Sequence, residues 1–370
     1  MTSDVRVAPR RGVRAVPRKA DVRVPRPAPL HGAPLLPCVL VLAAVLVAVM
    51  LVAVGVGSVR IPLGDSWRIV TGHLTGSTGG LDPVQDQIVW RFRVPRVLLA
   101  ALAGAGLAVA GVVLQALVAN PLADPYVLGI SSGASTGAVL VMTGAGAAAG
   151  GIGVSAAAFA GAAAATVLVF VLGQRRGRLS PLRLVLSGVA VGYLFTAATG
   201  YFQLKAAPNE LRQVMFWMLG SVAGARWEQL RVVSVVVAAV TGILMLYGRR
   251  LNALVTGEEQ ATALGLDVNR LRVGLLAASA LLTGTVIAVT GGVGFVGLLV
   301  PHIVRLAFGA DHRRVLPLSA LLGAIYLVGV DLMSRTVDAP NEIPLGVFTA
   351  AVGAPVLLWL LRRDRPGQDA

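Results

Sequence analysis

The chain has 370 residues, 56% of them hydrophobic and only 13% charged. A soluble protein of this length would need far more surface charge, so the composition excludes one and points to a bilayer. The basic excess, 32 Lys and Arg against 17 Asp and Glu, falls in short clusters between apolar runs and is no nucleic-acid footprint, and the single cysteine, Cys38, excludes a disulfide framework and any multi-cysteine metal site.

Residues 1–34 mix Arg and Lys with Pro, Val and Ala and have no apolar period, so they read as a disordered basic arm beside anionic headgroups. Leu35-Leu36-Pro37-Cys38 has the look of a lipoprotein cleavage site, but the apolar run follows Cys38, so the segment reads as the uncleaved start of a first span. Ten spans are predicted: Leu36–Val56, Arg96–Leu117, Val127–Thr143, Ile152–Leu172, Leu184–Gln203, Val232–Tyr247, Val273–Thr290, Val293–Phe308, Val315–Ser334 and Pro344–Leu361. A hydrocarbon core of about 30 Å calls for runs of about 20 residues, and the 44 glycines suit close helix packing. The fold class is therefore all-α and polytopic, one transmembrane domain over 35–362 followed by a tail over 363–370.

Gly291-Gly292 barely separates two spans, as a tight outer turn or a re-entrant half-helix would. Leu211, Val214, Met215 and Met218 recur at helical spacing and predict an amphipathic helix within Lys205–Trp227. Placing the amino terminus inside gathers the arm and the arginines around 175–183, 249–272, 305–314 and 362–365 on one side. The positive-inside rule then puts both termini in the cytoplasm, with Trp67, Trp90, Trp217 and Trp227 at the outer interface.

Between spans six and seven lies a charged island, Leu251 to Asp267, closed by Arg270 and Arg272. Gly257 and Gly265 punctuate it, Glu258 and Glu259 suit a first helical turn, and Ala261, Leu264 and Gly265 recur at i, i+3 and i+4. Such a stripe of small apolar residues fits a partner's groove; an ordinary solvated loop is the alternative. The chain itself has no engine. Its only lysines, Lys19 and Lys205, follow no glycine-rich phosphate loop, and no catalytic constellation lies in any span, so neither ATP hydrolysis nor other enzyme activity is expected. Asp331 and Arg335, four apart, read as a mutual pair; an ion-coupled carrier would instead titrate Asp331.

Arg93-Val94-Pro95-Arg96 opens a span carrying Gly104-Ala105-Gly106 and Gly111, and leads to Asn120-Pro121-Leu122-Ala123-Asp124-Pro125-Tyr126, then Gly129-Ile130-Ser131-Ser132-Gly133. Pro121 and Pro125 hold one helix apart from the next, and the small polar residues suit either a path lining or close packing. This string resembles the FecCD family of ABC importer permeases, which carry ferric siderophores, haem or cobalamin. Trp217-Met218-Leu219-Gly220-Ser221, Leu251 to Gly265, Gly294-Phe295-Val296-Gly297 through Pro301-His302 to Arg305, Asp311-His312-Arg313, Pro317-Leu318-Ser319-Ala320 and Glu342-Ile343-Pro344-Leu345-Gly346 follow in the family's order.

The resemblance implies a two-fold dimer of permease chains, identical or paralogous, around a central path in the bacterial cytoplasmic membrane. It further implies two separate ATPase subunits that hold the ATP and Mg, a substrate-binding protein outside, and no cofactor or metal in this chain. Gly257, Glu258, Ala261, Leu264 and Gly265 are then the ATPase-coupling residues. Arg93, Arg96 and Arg335 match outward arginines that pair with acids on the binding protein in the cobalamin-importing member, although arginines at a span's end also snorkel to headgroups. Asn120 and Leu122 match the inner gate. Ser180 joins them, but Pro181 and Leu182 stand where the family carries small hydroxyl residues. His302 reads as a packing histidine rather than a haem ligand. Ferric siderophores lead as cargo, with haem and cobalamin as alternatives.

Overall fold

Every one of the apolar runs is helical in the computed structural model, which describes residues 30, 32–57, 59–77, 80, 82–143 and 153–363. The predicted basic arm and tail lie outside these residues except at their inner ends. In chain order the helices begin with α1 (Leu35–Gly55), α2 (Leu63–Thr75) and α3 (Pro83–Asp86). The last of these runs through a π-helical stretch, Gln87–Arg93, into α4 (Val94–Leu117). A 3-10 turn, Pro125–Leu128, precedes α5 (Ile130–Met142); then come α6 (Val154–Gly173), the strands β1 (Gln174–Arg175) and β2 (Arg178–Leu179), and α7 (Pro181–Leu204). The predicted surface helix appears as α8 (Pro208–Met218), followed by α9 (Trp227–Leu246). Two short helices, α10 (Gly248–Val255) and α11 (Glu258–Ala263), lead to α12 (Val268–Thr290), α13 (Val296–Phe308), α14 (His312–Ser334) and α15 (Leu345–Arg363).

α1, Pro83–Leu117, α6, α7, α9, α12 and α14 are long and apolar enough to cross a bilayer, whereas α5, α13 and Leu345–Trp359 are apolar but shorter. Capping chemistry sets several ends. α12 starts at Val268, five residues ahead of the predicted Val273, because the Asp267 carboxylate accepts from Arg270 N at 3.0 Å. α4 stops before Pro121. Asn120 N donates to Gln115 O and Ala119 N to Ala116 O, and Ala119 itself is left-handed at φ 50°, where a glycine is usual.

α4 is the axis of the molecule. It is buried along nearly its whole length and packs on α14, α12, α13, α9 and α1. Its glycines permit that approach: a methyl group at Gly104 would overlap the Gly323 carbonyl, and one at Gly111 the Gly297 carbonyl. This part of the family-like string is therefore packing, not path lining. Gly133 of α5 meets Gly161 of α6 in the same way.

Gly291 turns the chain at φ 68°, and the loop to α13 is a docking point for two other strings. Ser221 N donates to Thr290 O at 2.7 Å, while Leu345 N and Gly346 N donate to Gly220 O and Leu219 O, each at 2.9 Å. Three segments with no sequence proximity thus close one knot.

Candidate coupling and gating site

The charged island folds as a two-helix platform. α10 and α11 meet at Gly257, whose φ of 121° is open only to glycine. α11 closes after one and a half turns: Gly265, at φ 79°, sends its N–H to Thr262 O, and Leu266 N returns to Ala261 O. That closure splits the predicted stripe. Ala261 is fully buried, with α11 packed on α10 and the start of α12, while Leu264 is 70% exposed and Gly265 is open. The expectation that Ala261 and Leu264 share one outward face is corrected; Ala261 points inward, while its neighbours Glu258, Glu259, Thr262 and Leu264 are open.

Two side-chain sets stitch the platform to the bundle. Asn252 of α10 donates to Asp311 Oδ1 at 2.7 Å and accepts from His312 N at 2.9 Å. Burial raises the Asp311 carboxyl, but the Asn252 amide, the Arg313 N–H and the Arg313 and Arg314 guanidiniums outweigh it and hold the group below its ordinary range. On the other side, Arg272 Nη1 donates to Glu258 Oε2 at 2.9 Å and to Leu179 O at 3.2 Å. Asn269 accepts from Leu179 N at 2.9 Å and donates to Gly177 O at 3.2 Å. Neither Asn269 nor the double role of Arg272 was foreseen from sequence; an arginine one turn inside an apolar helix is the only local hint that it has buried partners.

The expected gate residues stand in separate loops at this same end. The Asn120 carboxamide accepts from Leu122 N at 2.9 Å, an Asx turn in which both residues are exposed. Ser180 occupies the position before α7 without a side-chain cap, and Pro181 is the first residue of the helix. The Pro125–Leu128 turn follows the Asn120 loop and packs on α7, with Gly129 against Gly188 and Gly192. Asp124 starts that turn: it is buried, accepts from Tyr126 N at 2.9 Å, and has no cation partner among the described residues. Burial pushes its carboxyl up to about 6 against the pull of that single N–H.

Beyond the turn, α5 and α7 enclose a groove of about 510 Å³ presenting Ser131, Ser132, Ser135, Thr196 and Thr199. The α7 face beside it carries Leu186, Tyr193, Leu194 and Leu204, all well exposed.

The three arginines gather at the opposite end, but not as exposed charges. Arg93 donates to the carbonyls of Val54, at 3.0 Å, Gly55, at 2.8 Å, and Val59; Arg335 donates to Ala53 O at 2.7 Å. Two guanidiniums therefore cap the free carbonyls and negative dipole end of α1. Arg96 Nε bonds Asp331 Oδ1 at 2.8 Å and Arg96 Nη1 bonds Glu342 Oε1 at 2.7 Å, while Arg335 Nη2 lies 3.4 Å from Asp331 Oδ2. All three arginines are buried, and Asp331 is wholly so; only Glu342 remains half-open. The outward placement expected of them is corrected. The Asp331–Arg335 pair is present, with Arg96 as an unforeseen third member.

The profile of the FecCD transport family matches residues 45–363. The chain is 44% identical over 281 residues to the vitamin B12 import system permease protein BtuC of Vibrio cholerae, covering 76% of this chain and 84% of that protein. It is 39% identical over 280 residues to the hemin transport system permease protein HmuU of Yersinia pestis, covering 75% and 84%. Among solved structures, an inward-facing metal-chelate type ABC transporter superposes with a TM-score of 0.76 at 31% identity, over 88% of this chain and 98% of that one.

Proposed function

Because the chain belongs to the FecCD transport family, we propose that it is the membrane-spanning permease subunit of an ATP-binding-cassette importer, moving a ferric siderophore from a binding protein outside to the cytoplasm. The observation that carries this reading is the platform α10–α11: a short helix with an exposed leucine, bonded to α12 through Arg272 and to the start of α14 through Asp311, on a chain with no phosphate loop. In this reading two copies of a separate ATPase dock on Leu264, Gly265 and the acids Glu258 and Glu259, and supply the ATP and Mg. The α11 end is cytoplasmic, as are both termini.

The exposed apolar face of α7 is covered by a second permease chain, which turns the hydroxyl-lined groove into half of a central path. Asn120, Leu122 and Ser180 close that path at the cytoplasmic end. The binding protein docks at the other end, with Arg93, Arg96 and Arg335 supporting that face from beneath rather than pairing across it. Neutral hydroxyl donors without a fixed charge suit a bulky polar chelate, and the metal-chelate transporter supports iron-siderophore cargo. Haem or cobalamin is the second reading, favoured by the likeness to HmuU and BtuC.

Purified alone, the chain should hydrolyse no ATP above background; turnover should appear when a nucleotide-binding subunit is co-expressed and co-purified. Fluorescence quenching of the cognate binding protein with ferric siderophores, haem and cobalamin then decides the cargo. Robust hydrolysis by the isolated chain would overturn the reading.

A further inference from the structure

We propose that Arg272 is a positioning residue that transmits movement of α11 to the β1–β2 hairpin, and through Leu179 and Ser180 to the start of α7. The inference rests on the reading of α11 as the element gripped by an ATPase. Arg272 lies in the second turn of α12, buried, with one nitrogen bonded to both moving parts: the Glu258 carboxylate of α11 at 2.9 Å and the Leu179 carbonyl at the end of β2 at 3.2 Å. Asn269 stands three residues earlier on the same helix face. It grips the hairpin from both sides, accepting from Leu179 N and donating to Gly177 O.

The hairpin itself has little slack. Its two strands pair Gln174 with Leu179 and Arg175 with Arg178, and the turn between them is two left-handed residues, Arg176 and Gly177. Ser180 follows directly, with its N–H on Gly173 O at 3.3 Å, and its carbonyl accepts the Leu184 N–H in the first turn of α7 at 2.9 Å. Displacing Leu179 therefore displaces the first turn of α7, the helix that walls the hydroxyl-lined groove.

The chemistry suits a link better than a brace. The Glu258 side chain is 51% exposed, so its bond to Arg272 adds little to stability. Its value lies in joining α11 to the β1–β2 hairpin through a single buried side chain. Arg272 Nη1 carries two N–H donors held in the guanidinium plane, one for the carboxylate and one for the carbonyl, whereas the three donors of a lysine ammonium rotate freely and fix no such geometry.

The test uses the assembled importer, permease with its ATPase, in lipid nanodiscs. The single cysteine Cys38 is replaced by serine, and spin labels are placed at Arg176→Cys on the hairpin and Leu74→Cys at the far end of the bundle. In the otherwise unaltered chain, ATP with vanadate should shift the distance between the labels. Arg272→Met should abolish that shift while the ATPase still co-purifies and still hydrolyses ATP. Glu258→Gln removes a charge from an exposed side chain that also faces the ATPase, so it is compared at an equal amount of bound ATPase per permease; there it should give an intermediate shift, and Arg272→Lys should not restore it fully. A full shift in both Arg272→Met and Glu258→Gln, with the ATPase bound, would reduce Arg272 to a structural contact; should Arg272→Met fail to fold, a full shift in Glu258→Gln decides the same way. An ATPase that does not assemble with the unaltered chain removes the coupling reading, and this proposal with it.

Discussion

The two ends of the molecule use charge in opposite ways. At the α1–α4–α14 end, three arginines and Asp331 are turned inward, with Glu342 at the rim, and their partners are helix-end carbonyls and each other. At the α11 end the acids and arginines are mostly open, and only a few bonds reach inward. The first arrangement is costly to disturb, since a buried ion left without its partner loses several kcal/mol. The second leaves a surface that another protein can grip without breaking the fold. Formal charge near a helix end thus says little until its burial is known.

The largest effect is expected where that contrast is most extreme. Asp331→Asn or Arg96→Met strands a buried guanidinium or carboxylate and should lower stability by about 3–5 kcal/mol, read as a fall in melting temperature in detergent. Glu342→Gln, at the open rim of the same cluster, should cost less than about 1 kcal/mol. If Arg96→Met melts like the unaltered chain but loses affinity for the binding protein, the arginines are docking residues after all and the contrast between the ends collapses.

The α11 end offers the sharper comparison within a single turn. Ala261→Arg forces a charged side chain into a site with no free surface and should destabilise the permease itself by several kcal/mol. Leu264→Arg, on the exposed side, should leave the melting temperature unchanged and weaken ATPase capture roughly tenfold or more. Thr262→Arg should be milder than either. Normal capture with Leu264→Arg would place the ATPase contact elsewhere.

What could be read in advance follows the range of the forces involved. Hydropathy is local, so the apolar runs were legible as helices, seven of them long enough to span, as was the amphipathic α8 from Leu211, Val214 and Met215. The Asp331–Arg335 pair was legible because four residues make one helical turn. Arg96 was not, because its carboxylate partner is 235 residues away, nor was Arg93, whose partners are backbone oxygens that no side-chain pattern announces. The stripe through Ala261 and Leu264 failed for a local reason. Gly265 was read as punctuation, yet its left-handed closure ends the helix at Ala263 and turns Leu264 outward. Asn269 and Arg272 matter only because the hairpin folds onto them across 90 residues or more.

The most diagnostic effect concerns the second buried acid. Asp331 is held by two guanidiniums, whereas among the described residues Asp124 has only the Tyr126 N–H, and burial lifts its carboxyl to about 6. A carboxyl with a folded value above its unfolded value of about 3.9 favours the folded state while protonated. Its contribution is therefore complete below about pH 4 and is lost as pH rises through about 6, a change of about 3 kcal/mol at most. Asp124→Asn keeps an oxygen to accept from Tyr126 N and removes the titration. The variant should melt higher than the unaltered chain at about pH 7.5, and the gap should close on acidification to about pH 4.5. Melting curves that differ by the same amount at every pH would mean that the Asp124 carboxylate finds compensation in the assembled membrane protein, and the two buried acids would then belong to one class.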